Sequence, residues 1–231
     1  MPKQLKHSKV LIVGLGGLGA PVSLYLAAAG VGHLVLVDYD HVDLSNLQRQ
    51  IIHKTSHIGQ EKTVSAQIKL QALVPELQIT RFNQRLSKTS LNNMLSDINV
   101  VVDCSDNFMT RFAINAACVE NGTPLVSGAA VRWKGQVAVF LPAQKHSPCY
   151  RCLYNNTEDE TETCSQMGIL APLVGIIGSI QALEVIKVLL GIGQSLCGKL
   201  LTFDAYTETW RTLKLRKDPA CPVCSQLITD N

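Results

Sequence analysis

Apolar residues fall in short runs that alternate with amphipathic windows, and this alternation predicts βαβ units from the beginning of the chain. Lys9 to Val13 reads as a buried strand, Leu18 to Ala29 as a helix with small residues on its packing side, and His33 to Asp38 as a second strand. A polar connection carrying Ser45, Asn46, Gln48, Arg49 and Gln50 follows, then an amphipathic helix from about Glu61 to Leu73 that Pro75 ends. Strands are expected at Leu77 to Phe82, Ile98 to Asp103 and Pro124 to Ser127, with a helix from about Asn107 to Glu120. Beyond that point Gly135 to Leu141 and Leu200 to Leu215 are strand-like without helices of the earlier kind, which predicts antiparallel additions to the sheet.

Two apolar segments invite a membrane or export reading. In the first, Met1 to Lys9 is basic and Val10 to Val13 apolar, but four glycines between Gly14 and Gly19 suit a strand entering a phosphate loop better than a signal helix. In the second, Gly168 to Leu190, the polar residues Gln181, Glu184 and Lys187 interrupt the second half, so a buried or subunit-interface helix is expected. Between Leu153 and Gln166 lies an acidic stretch with little to bury, read as a mobile surface loop. With 231 residues, 46% of them apolar, the chain suffices for one large α/β domain spanning 1–231. A net charge of +3, with no Lys/Arg run, excludes a nucleic-acid footprint. The expectation is a cytoplasmic protein without a membrane partner, whose eight cysteines stay reduced.

The candidate chemistry begins at Gly14-Leu-Gly16-Gly17-Leu-Gly19, which follows a predicted strand and opens a predicted helix. Backbone N–H groups and the helix N-terminus can there meet a phosphate without Cβ obstruction. Asp38 ends the next strand, where its carboxylate can accept from ribose hydroxyls. This much describes an adenine-nucleotide site, with nicotinamide and flavin cofactors still open. A second polar set, Asn46, Arg49, Lys62, Asp106 and Asn107, favours a triphosphate, because an Arg and a Lys can neutralise phosphate oxygens while a strand-end Asp holds magnesium. Each has an ordinary alternative: Arg49 as a solvated charge, Lys62 on a surface helix face, Asp106 as a helix N-cap.

Cys149-Tyr-Arg-Cys152 and Cys221-Pro-Val-Cys224 form two Cys-x-x-Cys pairs, the spacing at which each turn presents two thiolates to one tetrahedral ion. A structural zinc is the leading reading, with a redox dithiol and an iron–sulfur cluster as competitors. Cys104, Cys118 and Cys197 are read as packing or incidental residues, and His33, His53 and His57 as structural or surface groups without a catalytic pattern.

Ser45-Asn46-Leu47-Gln48-Arg49-Gln50, Asp103-Cys-Ser-Asp106-Asn107, Cys149-Tyr-Arg-Cys152 and Ala171-Pro-Leu-Val-Gly175 resemble the ThiF/MoeB/HesA group of the ubiquitin-activating superfamily, and the likeness runs from Val10 to Cys224. It implies an α/β, Rossmann-like nucleotide-binding fold with a mixed sheet, parallel in its N-terminal part and antiparallel in its C-terminal additions, and a structural zinc site. It implies an ATP pocket of Gly17, Asp38, Ser45 to Arg49, Lys62, Asp106 and Asn107, with Asp106 as the magnesium carboxylate. The implied reaction is adenylylation of the C-terminal Gly-Gly carboxylate of a ubiquitin-like sulfur-carrier protein of the thiamine or molybdopterin type. Arg49, Lys62 and the metal held by Asp106 would carry it. Cys164 matches the family's loop cysteine, where a thiol could meet the carrier's end or pass sulfur from a sulfur-donor protein.

Homodimerisation is expected, since the apolar helix and its surroundings offer more surface than a monomer covers. Relatives begin with an Arg-Tyr-Ser-Arg-Gln-like segment that places an arginine in the partner's pocket, whereas only a short segment precedes Val10 here. A missing transition-state arginine can lower rates roughly 10³-fold in related chemistry, so slow turnover, a catalytically weak carrier-binding protein, or an incomplete chain is the corresponding expectation. Trp210 to Lys217 leans towards the thiamine branch and Val126 to Val131 towards the molybdopterin branch, leaving the carrier open.

Overall fold

The apolar run Lys9–Val13 becomes strand β1 at the heart of the sheet in the computed structural model, which describes residues 3–154 and 169–225. Before it comes a single helical turn, α1 (Lys3–Lys6), and after it α2 (Gly19–Ala28) and β2 (His33–Val37) complete the first βαβ unit. Helix α3 (Lys62–Leu73), β3 (Gln78–Phe82), α4 (Lys88–Leu95), β4 (Val100–Asp103), α5 (Phe108–Asn121) and β5 (Leu125–Val131) continue the alternation. The rest is β6 (Lys134–Phe140), the short α6 (Tyr150–Leu153), the long α7 (Ala171–Leu190), β7 (Lys199–Asp204) and β8 (Thr209–Lys214).

All eight strands join one sheet in the order β3-β2-β1-β4-β5-β6-β7-β8, parallel through β5 and antiparallel thereafter. The expected mixed sheet is therefore present. In the register Val13 lies opposite both Val37 and Asp103, so the carboxyl ends of β1, β2 and β4 finish at one level. Chain direction across the sheet reverses between β1 and β4, and a crevice opens where the connections from these strands leave in opposite directions.

Side chains alternate across the central strands. Val10 and Ile12 join a core beneath α2, α3 and α7, while Leu11 and Val13 join one beneath α4 and α5. Helix α7 is by length and composition apolar enough to cross a membrane, yet Leu173, Val174, Ile177, Val185 and Leu189 are buried against the sheet and α2. Burial of each such side chain stabilises by about 2 kcal/mol, which fixes α7 in the core. Its polar residues also have internal partners: Gln181 donates to the Asp103 carbonyl at 2.9 Å, and Glu184 pairs with Lys187 and accepts from Leu196 N–H.

Besides the short turns α1 and α6, which the sequence pattern does not announce, a helix and a strand differ from the sequence expectation. Helix α4 is an addition, started by a reciprocal cap between Ser87 and Ser90 in a segment whose apolar positions, Leu91 and Leu95, are too few to announce it. Strand β5 runs on past Ser127 through Gly128-Ala-Ala-Val131, and at Gly128 a Cβ would lie 2.3 Å from the Gln181 side chain. The missing Cβ at Gly128 is what leaves space for Gln181 of α7 on this strand. The acidic segment expected as a mobile loop falls mostly on 155–168, outside the described residues.

Candidate functional site

The crevice at the ends of β1, β2 and β4 is a cleft of about 1230 Å³. One end is built by the glycine loop. Gly14, at φ +91°, donates to the Val37 carbonyl at 2.8 Å, and a Cβ there would stand 2.7 Å from the Cys104 carbonyl, so only glycine lets the three strand ends converge. Gly16, Gly17 and Leu18 line the cleft, and the helix start at Leu18 has no side-chain cap, leaving the α2 N-terminus free to meet an anion. Gly19 serves the fold instead, because a Cβ on it would be 1.9 Å from the Gly14 carbonyl oxygen; its absence allows the helix to start against its own loop.

Asp38 turns back to this loop, accepting from Leu15 N–H at 2.7 Å and Asp40 N–H at 2.8 Å. Burial pushes its carboxyl above the usual range, opposed chiefly by the Lys62 charge and then by these two N–H groups. Lys62 is the first residue of α3. Its side chain is almost wholly buried, and its ammonium sits 2.9 Å from the half-exposed Asp40 carboxylate. The surface-helix alternative for Lys62 thus does not describe its setting. Arg49 lines the same cleft, its guanidinium 3.4 Å from the Ser45 carbonyl.

Across the cleft β4 ends at Asp103, and Asp106 and Asn107 follow before α5. The cap of α5 is Asn107, whose side-chain oxygen accepts from Thr110 N–H at 2.9 Å. Asp106 is accordingly not consumed as a cap; it stays exposed in the cleft, touched by the Asn107 amide at 3.3 Å. Of the residues expected at a nucleotide, Gly14, Gly16, Gly17, Asp38, Arg49, Lys62, Asp106 and Asn107 come together here. Ser45, Asn46, Leu47 and Gln48 lie behind Arg49 in a short 3₁₀ turn and the residues after it, and do not line the cleft. Ser45 bonds to Asp43, and Asn46 accepts from the Gln50 amide at 2.9 Å.

Packing also reveals cleft residues that the sequence pattern passes over. Arg111 of α5 is buried, donating to the Ser105 carbonyl at 2.7 Å and lying 3.3 Å from the Tyr150 hydroxyl. Nothing in its spacing separates it from a helix surface charge. At the other end the cleft runs onto β6, β7 and β8, where Lys134, Gln136, Thr202, Thr209 and Arg211 line it. The volume exceeds the ~300–1,000 Å³ usual for a small-molecule pocket, leaving room beside a nucleotide for an extended segment. Cys164 lies outside the described residues.

The two Cys-x-x-Cys pairs meet on the far side of α5. All four sulfurs lie within 4.8 Å of one another, with Cys149–Cys152 at 3.9 Å, Cys149–Cys221 at 3.7 Å and Cys152–Cys224 at 3.5 Å. A tetrahedral ion with bonds of ~2.3 Å to sulfur needs edges of about 3.8 Å, so this cluster could hold a metal ion. The clustered thiols compete for protons: Cys152 is held below the usual range by the Cys149 thiol and then by the N–H groups of Cys149 and Asp218, while Cys149, through the same contact, and Cys224, through burial, are pushed up. Cys104 and Cys118 are buried in the core, where burial pushes both thiols up, and Cys197 is half-buried beside Ser147.

A model of the ThiF family matches residues 2–223. The chain is 47% identical over 222 residues to the molybdopterin-synthase adenylyltransferase of Escherichia coli K12, covering 96% of this chain and 89% of that one. It is 46% identical over 222 residues to the sulfur carrier protein ThiS adenylyltransferase of the same organism, with 96% and 88% covered. A Thermus thermophilus sulfur carrier protein adenylyltransferase is 43% identical over 227 residues, with 96% and 84% covered. In backbone the structure resembles that of E. coli MccB with ATP, at a TM-score of 0.85 and 23% identity, covering 96% of this chain and 68% of that one. At this identity the likeness speaks for the fold.

Proposed function

The chain belongs to the ThiF family, and from that premise we propose that it is an adenylyltransferase that uses ATP to activate the C-terminal carboxylate of a ubiquitin-like sulfur-carrier protein. The observation that carries this reading is the convergence of the glycine loop, Asp38, Arg49, Lys62 and Asp106 on one cleft that continues onto the β6–β8 surface. ATP would lie with its ribose at Asp38 and its phosphates between the α2 N-terminus, Arg49 and Lys62. The carrier's tail, ending in Gly-Gly, would enter from the β6–β8 end.

The reaction then needs no general base. A carboxylate oxygen of the carrier attacks the α-phosphorus, the bond from that phosphorus to the bridging oxygen breaks, and pyrophosphate leaves with the electron pair. Both reactants are anions, so the residues contribute chiefly by positioning and by neutralising charge. Arg49 and Lys62 bring two positive charges to the phosphates. Asp106, an exposed carboxylate in the cleft, fits magnesium, which binds through one or two carboxylates plus phosphate oxygens and, when bound, would draw charge from the departing pyrophosphate. Cys149, Cys152, Cys221 and Cys224 fit a structural zinc that would tie the segment after β8 to α6 and its N-cap.

A homodimer is part of the proposal, supported by Tyr25 of α2 and Ile176 and Leu183 of α7, apolar side chains left exposed on neighbouring helices. We read the enzyme as cytoplasmic, where thiolate ligands stay reduced, and Cys164 as the thiol that would meet the carrier or a sulfur donor. The test is exchange of labelled pyrophosphate into ATP with thiamine-type and molybdopterin-type carriers in parallel. Exchange that depends on one carrier and is abolished in Asp106→Ala is expected, and it would name the branch. Carrier binding without exchange for either would instead identify a catalytically inactive carrier-binding protein.

A further inference from the structure

Behind the glycine loop lies a buried hydrogen-bond chain that the proposed chemistry does not use. His53, His57 and Ser65 are all buried. The Nδ1 atoms of both histidines stand 2.8 Å from the Ser65 hydroxyl, and His53 Nε2 stands 3.1 Å from the Leu15 carbonyl oxygen. A carbonyl oxygen only accepts, so His53 carries its proton on Nε2. Burial pushes the His53 imidazolium down to about 4, so the ring is neutral and its Nδ1 must accept. The Ser65 hydroxyl therefore donates to His53, and its lone pair accepts from His57 Nδ1–H. Every donor in the chain is used once, and the direction runs from His57 through Ser65 and His53 to Leu15.

Two members of this chain, Leu15 and Ser65, belong to the two halves of the phosphate site. Leu15 sits within the glycine loop, and its peptide N–H is already held by Asp38 at 2.7 Å, so His53 grips the following carbonyl of the same residue. Ser65 lies one turn along α3 from Lys62. We propose that His53 is a positioning residue that locks the glycine loop to the Lys62 helix and so holds the phosphate-binding N–H groups and the Lys62 ammonium at their working separation. It touches neither nucleotide nor carrier. The inference rests on the ATP reading above and goes beyond it by naming what preorganises that site.

The experiment compares wild type, His53→Ala, His53→Gln and Ser65→Ala by calorimetric binding of ATP and of adenosine, with thermal unfolding as a check of folding. Loss of a buried hydrogen bond that orients the loop should weaken ATP binding about tenfold in His53→Ala. Adenosine, which lacks the phosphates, should bind all variants within about twofold of wild type, a separation that general destabilisation would not produce. Glutamine can again donate an amide N–H to Leu15 and should restore affinity to within about threefold. Ser65→Ala cuts the same chain without removing the ring and serves if His53→Ala does not fold; about threefold weaker ATP binding is expected there. Unchanged ATP affinity in a folded His53→Ala or, failing that, Ser65→Ala would overturn the proposal, as would equal losses for ATP and adenosine or equal impairment of the alanine and glutamine variants. Wild-type protein that binds no ATP would instead remove the reading beneath it, so the two failures are distinguishable.

Discussion

Replacing Lys62 by methionine keeps the length and apolar stem of the side chain while deleting its charge. Structure and activity should respond very differently. The ammonium is buried, but its partner Asp40 is half exposed, 2.9 Å away, and water can solvate that carboxylate once the lysine is gone. The stability loss should therefore stay below about 1 kcal/mol, the scale of a partly exposed ion pair, and the melting temperature should fall by no more than about 4 °C. On the proposed reading, activity loses a preorganised positive charge that meets the phosphates, an effect of about 10²–10³-fold where comparable donors have been removed. A second signature comes from Asp38. Burial raises its carboxyl pKa and Lys62 is the main influence opposing that rise, so without Lys62 the pKa climbs further. The carboxylate proposed to bind ribose would then ionise only at higher pH, and the acid limb of kcat/KM for ATP should move to higher pH. Carrier-dependent pyrophosphate exchange across a pH series, with thermal unfolding alongside, measures all three effects. A variant retaining more than about a tenth of wild-type exchange, or an acid limb displaced to lower pH, would refute the reasoning.

In Cys221→Ser the four-sulfur cluster loses a fully buried member, and the purified protein should carry little zinc where wild type carries about one ion per chain. Because structural zinc contributes on the order of 10 kcal/mol in small peptides, the variant should lose several kcal/mol of stability, seen as a melting temperature lowered by more than about 10 °C; metal retention with an unchanged transition would contradict the assignment. The imidazole of His53, pushed down to about 4 by burial from 6.5, makes stability depend on acid. Its folded value lies below the unfolded one, so on acidification the unfolded chain takes up the proton first. Stability is level above pH 6.5 and falls as pH drops through the window towards 4, by about 2 kcal/mol after allowing for partial solvent screening. Urea midpoints at several pH values should show this slope in wild type and a flatter one in His53→Gln; equal slopes would count against it.

What the sequence by itself determined was everything written in local periodicity and fixed spacing. Short unbroken apolar runs marked β1, β2 and β4 as strands, because each is buried on both faces and has to be apolar nearly throughout. The glycine loop announced itself, since backbone convergence at Gly14 and helix packing at Gly19 admit no Cβ. The paired Cys-x-x-Cys turns were equally visible, as short-range geometry already brings each pair of sulfurs together. Only the tertiary structure decided which polar residues matter. Lys62 and Arg111 look like helix surface charges until packing buries them, and Asp106 and Asn107 are neighbours whose roles separate only when Asn107 is seen to cap α5. Strand β5 could not be followed past Ser127 because Gly128-Ala-Ala signals no strand locally; a Cβ at Gly128 would collide with Gln181 of a helix far along the chain. The hydrogen-bond chain from His57 to Leu15 spans three separate segments. Such interactions depend on distances in space, and a linear pattern carries only distances along the chain.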